Sequence, residues 1–440
     1  MLQQQQYKII LCDYINPKSD SKCQFIQNAA VVLRRKSSNK YVVDSVGKRE
    51  TVLKKMAGKK SKEVIDRRTM IMLPAFLDLH FHWVQDEVSL MPKNVLMTWL
   101  NRYTWPYERK FEKAAFARKA AKLFAQKLLA VGTMGGGCYA SIHQASVNWA
   151  MKYFVGDFFI GNVLMTVNSP SYITQTAQAA KKLVAGMLKK YKGRYVVTPR
   201  FAITTDPATM KDVAAQARHY SAFIQTHISE NYQEIEYTKH LYQNQKGFSK
   251  AYDSYAKIYD HCNILTPKTI LAHAIHVDEE ELRLLKKRRV SIAHCPTSNA
   301  PIEQKGLGSG VMDFSSLDRL KIPWGLASDI GGGPYLSMFD VMRSFLVQNM
   351  QKKEATAIKA LYRATLANAK ILRIDKKTGN LERGKQANFI LIKYPSKSRP
   401  QKAEQLLKNI LLVKESRRKN FMNIVCESYY QGLNLFSSKQ

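Results

Sequence analysis

Two histidines in one short stretch could bind a metal ion together. Residues 73–82 read Leu-Pro-Ala-Phe-Leu-Asp-Leu-His-Phe-His, an apolar run that ends in His80 and His82. Side chains alternate along a β-strand, so both imidazoles would lie on the same face at the end of the strand. A zinc ion held there would lie about 2.0–2.1 Å from each ring nitrogen. The pair is weak evidence by itself, because two ligands do not complete a site.

Further candidate ligands follow other apolar runs. His227, His273 and His294 each end such a run, and Asp329 follows the run of residues 325–328. Any one of them alone is more often an ordinary loop or core residue, but their repetition at run ends favours a metal site. Imidazole and carboxylate donors without thiolate suit zinc, and also iron or manganese. Such a metal lowers the pKa of a bound water to about 7 and makes hydroxide available near neutral pH.

Glu230 is a candidate proton carrier. It lies just past His227, in the stretch His-Ile-Ser-Glu-Asn, where its carboxylate could reach from the strand end into a pocket. A carboxylate at this place would transfer protons rather than bind the metal. The structural alternative is the first turn of the next helix, where an acidic side chain suits the helix dipole. Both interpretations can hold together.

The elements that would position these residues alternate along the chain. After the strand that ends at His80, strand-like apolar runs cover residues 129–133, 158–165, 195–201, 222–227, 269–273, 290–294 and 323–328, with helix-like stretches between them. Continuous apolar runs are typical of parallel strands that are buried on both faces. The alternation predicts an α/β fold with a (β/α)8 TIM barrel, in which the chemistry lies at the C-terminal ends of the strands.

Both ends of the chain have short strand-like runs of a different kind. They cover residues 7–11, 29–33 and 41–43 near the start, and 389–392, 423–425 and 428–430 near the end. We expect them to join in one small composite β-sandwich domain built from both chain ends. The predicted domains are residues 1–72 and 379–440 for the two parts of this domain, and 73–378 for the catalytic barrel.

Composition sets limits on the class of protein. The chain has 440 residues, of which 45% are hydrophobic, enough for a large barrel and a small second domain. No stretch approaches about 18 uninterrupted apolar residues, and the start of the chain has neither a basic nor an apolar signal region, so we predict no membrane span and no secretory signal. The six cysteines are scattered without a Cys-x-x-Cys motif. This predicts reduced thiols in a cytoplasmic protein.

The formal net charge of +35 would suit a nucleic acid or another anionic surface as partner. The positive residues lie in short dispersed clusters, for example Lys59-Lys60 and residues 286–289, without interleaved aromatic residues. A groove for single-stranded nucleic acid would combine both features. We therefore interpret the charge as a solvated basic surface and expect no nucleic-acid partner.

Several motifs resemble the amidohydrolase superfamily and, within it, the enzymes that deaminate guanine. Residues 78–85 resemble the pattern Asp-x-His-x-His-x-x-Gln, and residues 99–108 resemble Trp-Leu-x-x-Tyr-Thr-Phe-Pro-x-Glu. Further blocks resemble those of the superfamily in the same order, at residues 198–201, 226–231, 272–273, 293–299 and 328–332. The resemblance extends over about residues 74–391, and it implies a barrel with a composite β domain and usually a homodimer.

The resemblance implies a metal site and a proton pathway. The metal, one Zn²⁺ per chain or iron in its place, would be bound by four residues, His80, His82, His227 and Asp329. Asp329 would also take a proton from the metal-bound water, and His273 would orient or polarise the attacking hydroxide. Glu230 would carry protons to the ring nitrogen and to the leaving amine.

The resemblance also implies how the base is held. Gln85 and Arg200 would bind the edge of guanine, Phe201 would pack on the ring, and His294 and Asn299 would support the ligands. The implied reaction is the hydrolysis of guanine to xanthine and ammonia.

Two alternatives remain open at this point. The first is a deaminase of another aminated heterocycle, such as 8-oxoguanine, a pterin, a triazine or an adenosine derivative, because the loop of residues 87–96 and the residues after Asp329 depart from the family's pattern. The second is a catalytically dead, basic nucleic-acid-binding protein on the same scaffold. A cytidine-deaminase-type site is excluded, since the His-x-Glu and Pro-Cys-x-x-Cys motifs are absent.

Overall fold

The computed structural model describes residues 6–38, 40–93, 96–243, 252–394, 400–412 and 420–438. Within these ranges no helix is both long enough and apolar enough to cross a bilayer. All six cysteines lie in these ranges, and none of them forms a disulfide there.

Strands occur in three groups along the described chain. In chain order they are β1 (Tyr7–Pro17), β2 (Cys23–Ser37), β3 (Lys40–Lys48), β4 (Lys62–Pro74), β5 (Phe76–His82), β6 (Thr133–Ala140), β7 (Asp157–Leu164), β8 (Thr198–Pro199), β9 (Ile224–Ile228), β10 (Thr269–His273), β11 (Ser291–His294), β12 (Trp324–Leu326), β13 (Phe389–Lys393), β14 (Val425–Tyr430) and β15 (Leu433–Ser437).

The first group is a seven-stranded sheet in the order β15-β14-β13-β4-β1-β2-β3. Strands from both ends of the chain meet where β13 pairs antiparallel with β4. Side chains alternate between the two faces of β1, since Ile10 and Tyr14 pack in one hydrophobic cluster and Ile9 and Leu11 in another. Strands β2 and β3 pair antiparallel as a hairpin, and Asn39 between them lies outside the described residues.

The other strands form two four-stranded sheets, β5-β6-β7-β8 and β12-β11-β10-β9. Backbone hydrogen bonds join the two sheets at both edges, from Gln225 N to Val197 O (2.9 Å) and from Asp329 N to His80 O (2.9 Å). The predicted barrel is therefore seen as a partial barrel, and its strands end where the candidate ligands lie.

Helices separate most of these strands. They are α1 (Arg49–Met56), α2 (Leu96–Trp99), α3 (Trp105–Glu108), α4 (Ala114–Ala130), α5 (Gln144–Tyr153), α6 (Ala177–Lys190), α7 (Pro207–His219), α8 (Tyr232–Gln243), α9 (Tyr255–His261), α10 (Glu279–Arg288), α11 (Pro296–Asn299), α12 (Phe314–Leu320), α13 (Met338–Gln348), α14 (Ala357–Arg363), α15 (Leu366–Ile371) and α16 (Ala403–Leu411).

Helix α10 explains one of the basic clusters. It begins with a capping box between Asp278 and Glu281, and the basic residues Lys286, Lys287 and Arg288 form its last turn. Cations suit the negative end of the helix dipole, so this cluster has a structural reason.

One strand prediction is wrong. Residues 129–133 do not form a strand, because α4 continues to Ala130 and β6 begins only at Thr133. Strand β6 includes Gly135, Gly136 and Gly137. A Cβ atom at Gly136 would lie 1.7 Å from the backbone oxygen of Asp78, and one at Gly137 would lie 2.5 Å from that of Leu79. Only glycine allows the two backbones to approach this closely.

Two compact units are distinguished within the chain. The first consists of Met1–Leu77, Gln126–Gly135 and Ser337–Gln440 and includes the seven-stranded sheet. The second consists of Asp78–Ala125 and Gly136–Leu336 and includes every candidate site residue. The bounds predicted above, at residues 72 and 378, stay a prediction.

Candidate metal centre and active site

Three histidines and one aspartate converge at the strand ends of the second unit. The Nε2 atoms of His82 and His227 lie 3.1 Å apart. Asp329 Oδ1 lies 3.1 Å from His80 Nε2 and 3.5 Å from His82 Nε2. One ring nitrogen from each of the three histidines lies within 4.8 Å of the others. The structure thus brings together the four residues that the sequence singled out as ligands.

The protonation of these groups suits a cation. Burial lowers the pKa of His80 and lowers those of His82 and His227 well below the usual value, so the three imidazoles are neutral near pH 7. Burial acts to raise the pKa of Asp329, but the facing His80, together with His273 and His82, holds that pKa well below its usual range. Neutral imidazoles with an ionised carboxylate are the forms that bind metal.

Hydrogen bonding around the ligands points to the same conclusion. His227 Nδ1 lies 2.6 Å from the backbone oxygen of Arg200, which places the proton on Nδ1 and leaves a lone pair on Nε2. Among the described residues, the buried Nε2 atoms of His80 and His273 have no hydrogen-bond partner, although His80 Nε2 faces the Asp329 carboxylate at 3.1 Å. Ring-nitrogen lone pairs that point to one place, with no hydrogen-bond donor to satisfy them, are suited to bind a metal ion. These residues therefore fit a metal.

A second possible donor group includes a cysteine. His80, His273, Cys295 and Asp329 also have donor atoms within 4.8 Å of one another. Burial raises the pKa of the Cys295 thiol well above its usual value, so it remains protonated. Cysteine binds a metal as the thiolate, and Cys295 is therefore the weakest candidate ligand of this group.

The backbone is strained at two of the residues whose side chains face the metal centre. His273 and Asp329 have φ angles of 72° and 47°, in the left-handed region that non-glycine residues rarely adopt. Such strain occurs where the surrounding structure holds a functional geometry. His294, in contrast, belongs to neither donor group. Its ring packs edge-on against that of Trp324, with the two ring centroids 6.2 Å apart. Of the run-end residues, His294 is the one outside both donor groups of the described residues.

Glu230 lies beside the metal centre. The residue is 3% exposed, and its Oε2 atom lies 3.7 Å from His273 Nε2. Its Oε1 atom accepts a hydrogen bond from Ser309 Oγ at 3.2 Å. Burial raises the pKa of Glu230 to about 7. A carboxyl group with this pKa can both give and take a proton near neutral pH.

His273 is held by Asn299. The two residues are joined by a hydrogen bond of 3.0 Å between His273 Nδ1 and Asn299 Oδ1, which directs Nε2 toward Glu230 and Asp329. Burial acts to lower the pKa of His273, but these two carboxylates raise it overall. His273 thus faces both acids from one side.

A pocket adjoins these groups. Gln85, Arg200 and Phe201, which the sequence singled out for substrate binding, share its lining with the metal centre and Glu230. All three are nearly inaccessible to solvent, at 1%, 3% and 4% exposure. The remaining lining side chains are mostly apolar and come from Leu96, Trp99, Leu100 and Leu307. The pocket suits a flat, mostly apolar ligand with a polar edge.

Sequence reasoning missed Glu108. It is fully buried, and its carboxylate accepts hydrogen bonds from Gln85 Nε2 at 2.6 Å and from Arg200 Nη1 at 3.0 Å. Glu108 ends the Trp99-to-Glu108 motif, and that position was the available signal.

Asp78 was also part of a motif without an assigned role. Its Oδ1 atom accepts hydrogen bonds from the backbone nitrogens of His80 (3.3 Å) and Ser328 (2.9 Å). One buried carboxyl group therefore ties the strand of two ligands to the residue before Asp329. Burial raises its pKa to about 7.

We expect Asp78→Ala to lower the free energy of unfolding by about 2–4 kcal/mol, because two buried N–H groups lose their acceptor. Urea denaturation measures this loss, and the metal content of the purified variant should fall with it. The matched control is Asp253→Ala, whose side chain is 63% exposed. Equal stability of the two variants would refute the role of Asp78.

Comparisons with known proteins agree on one family. The sequence profile described as "Amidohydrolase family" matches residues 71–421. Guanine deaminase of Escherichia coli (strain K12) is 32% identical over 338 residues, which is 75% of this chain and 74% of that protein. The solved E. coli guanine deaminase superposes with a TM-score of 0.84 at 26% identity over 98% of this chain and 99% of that chain. Guanine deaminase from C. acetobutylicum, solved with bound guanine in the active site, gives 0.82 at 26% identity over 98% and 100%.

Proposed function

We propose that this chain, which belongs to the amidohydrolase family, is a guanine deaminase that hydrolyses guanine to xanthine and ammonia. One observation carries the proposal: a buried pocket presents a metal-type donor set and a titratable carboxyl group to the same space as Gln85 and Arg200. The relatives named above are guanine deaminases. A basic nucleic-acid-binding protein on a dead scaffold would have no use for this buried arrangement.

We propose that His80, His82, His227 and Asp329 hold the metal and that the metal is zinc. The donor set of nitrogen and oxygen atoms suits zinc and also permits iron. When bound, the metal supplies Lewis acidity that makes a water nucleophilic near neutral pH.

The residues around the metal would move the protons. Asp329 accepts the proton of the attacking water, which His273 orients. The water oxygen adds to C2 of the purine while Glu230 protonates the neighbouring ring nitrogen. Glu230 takes up the proton held by Asp329 and gives it to the exocyclic amine. The bond between C2 and that nitrogen then breaks, ammonia leaves, and the hydroxyl proton of the adduct passes to Glu230 as the 2-oxo group forms. The pKa of about 7 for Glu230 supports this double use.

The pocket would hold guanine by its edge and its face. Arg200 has only hydrogen-bond donors and suits the 6-oxo group, whereas Gln85 can offer either an acceptor or a donor. Phe201 packs on the ring. A site that hydrogen-bonds its substrate rejects analogues with the wrong pattern, because buried groups are then left unpaired.

We also propose three further properties, which concern the barrel, the location in the cell and the oligomeric state. The two four-stranded sheets are the halves of one (β/α)8 barrel, supported by the hydrogen bonds at both of their edges. The protein is cytoplasmic, supported by its unpaired thiols. It forms a homodimer, for which the family resemblance is the support.

A turnover assay tests the function. The zinc-loaded protein is incubated with guanine while the loss of guanine absorbance and the release of ammonia are followed together. We expect xanthine and ammonia in equal amounts. Adenosine, a pterin and an aminotriazine are run in parallel under the same conditions. Turnover of one of these without turnover of guanine would refute the proposal and keep only the family.

A further inference from the structure

Glu108 lies between the two residues that would bind the edge of the base. Its Oε1 atom accepts from Gln85 Nε2 at 2.6 Å, and both of its oxygens accept from Arg200 Nη1 at 3.0 Å. Glu108 is 0% exposed and Arg200 is 3% exposed. The three side chains therefore form one buried unit with a shared carboxylate at its centre.

This contact decides which way the Gln85 amide points. An ionised carboxylate only accepts hydrogen bonds, so Gln85 has to turn its NH₂ group toward Glu108. The amide oxygen is then the atom that Gln85 offers on its other side. Gly331 passes next to that oxygen, since a Cβ atom at Gly331 would lie 2.2 Å from it. Without Glu108, either orientation of the amide would be open.

We propose that Glu108 is a positioning residue that sets the purine preference by fixing this orientation. The inference rests on the proposed function. The unit presents an acceptor from Gln85 beside the donors of Arg200. This pattern is complementary to the N1–H donor and 6-oxo acceptor of guanine. It opposes the N1 acceptor and 6-amino donor of 2,6-diaminopurine, which carries the same reactive amine at C2.

Glu108→Gln reverses the contact without changing the shape of the side chain. The new amide oxygen is expected to stay with the cationic Arg200, and its NH₂ group then faces Gln85. Gln85 has to turn its oxygen toward residue 108 and its NH₂ group toward the substrate. The acceptor for N1–H is lost and a donor for N1 is gained.

The test compares two substrates in the same preparation. The value of kcat/KM is measured for guanine and for the C2 deamination of 2,6-diaminopurine, which yields isoguanine and ammonia. The ratio of the two values does not depend on the folded or metal-loaded fraction. We expect Glu108→Gln to lower the guanine-to-diaminopurine ratio by about 100-fold or more. The matched control Glu112→Gln, at an exposed position in the same region, should keep the wild-type ratio.

A second variant covers the case in which Glu108→Gln does not fold. Gln85→Met removes the oriented amide and leaves the pair of Glu108 and Arg200 in place. The same large fall in the ratio is expected, because methionine offers no acceptor to N1–H. An unchanged ratio in either folded variant, with wild-type turnover of guanine intact, would overturn this inference alone. Absence of guanine turnover by the wild-type protein would refute the proposed function and the inference with it.

Discussion

His82→Ala is expected to release the metal and to lower guanine turnover by about 10⁴-fold or more. His82 Nε2 lies 3.1 Å from His227 Nε2 and 3.5 Å from Asp329 Oδ1, so the residue is at the centre of the donor set. Loss of several kcal/mol of metal-derived stabilisation of the transition state corresponds to this factor. The checks are metal content by mass spectrometry and kcat/KM for guanine.

The control for this variant is His219→Ala, an exposed histidine at the end of α7. It should keep both the metal and the activity. The wild-type protein treated with a chelator should behave like His82→Ala, and add-back of zinc or iron then identifies the metal that restores turnover. A His82→Ala protein that keeps stoichiometric metal and a tenth of the activity would contradict the assignment of His82.

Glu230→Gln is expected to lower kcat by about 10³-fold while the metal content stays at the wild-type level. The amide has nearly the same shape and can keep the contact with Ser309 Oγ, but it cannot transfer a proton. General acid–base catalysis contributes about 10²–10⁴-fold, and two proton transfers are proposed for Glu230. Steady-state kinetics with guanine and metal analysis of the same sample give both quantities.

The matched control is Glu236→Gln on α8, whose side chain is 73% exposed. It should show wild-type kinetics. The two main variants thus differ in a defined way, since His82→Ala loses metal and activity together and Glu230→Gln loses activity alone. If Glu230→Gln kept a tenth of the wild-type kcat, the role of proton carrier would have to pass to another group.

Several site residues could be predicted because their signal is local. The two-residue period of a strand places His80 and His82 on one face wherever that strand packs. His227 and His273 each lie at or next to the end of an apolar run, and the structure confirms strands Ile224–Ile228 and Thr269–His273 there. The C-terminal ends of barrel strands meet at one face, so the order of runs along the chain was enough to group residues that are distant in sequence.

Other features depended on contacts that no local pattern encodes. His294 ends an apolar run just as His273 does, yet its ring faces Trp324 and belongs to neither donor group. The strand at Thr133–Ala140 was missed because glycine is a poor strand former. In the structure Gly136 lies directly against the backbone of Asp78, a neighbour remote from it in sequence.

The sequence by itself determined the family, the proposed set of ligand residues and the proposed proton carrier, because each follows from residue type and from position along a motif or a strand. Only the tertiary structure decided which imidazole nitrogen faces the centre, which carboxyl groups are desolvated and what Glu108 contacts. Tautomer, burial and amide orientation are set by neighbours that are remote in sequence, such as the backbone oxygen of Arg200 beside His227. The periodic pattern of residue types does not predict such neighbours, because these contacts form only when the chain folds.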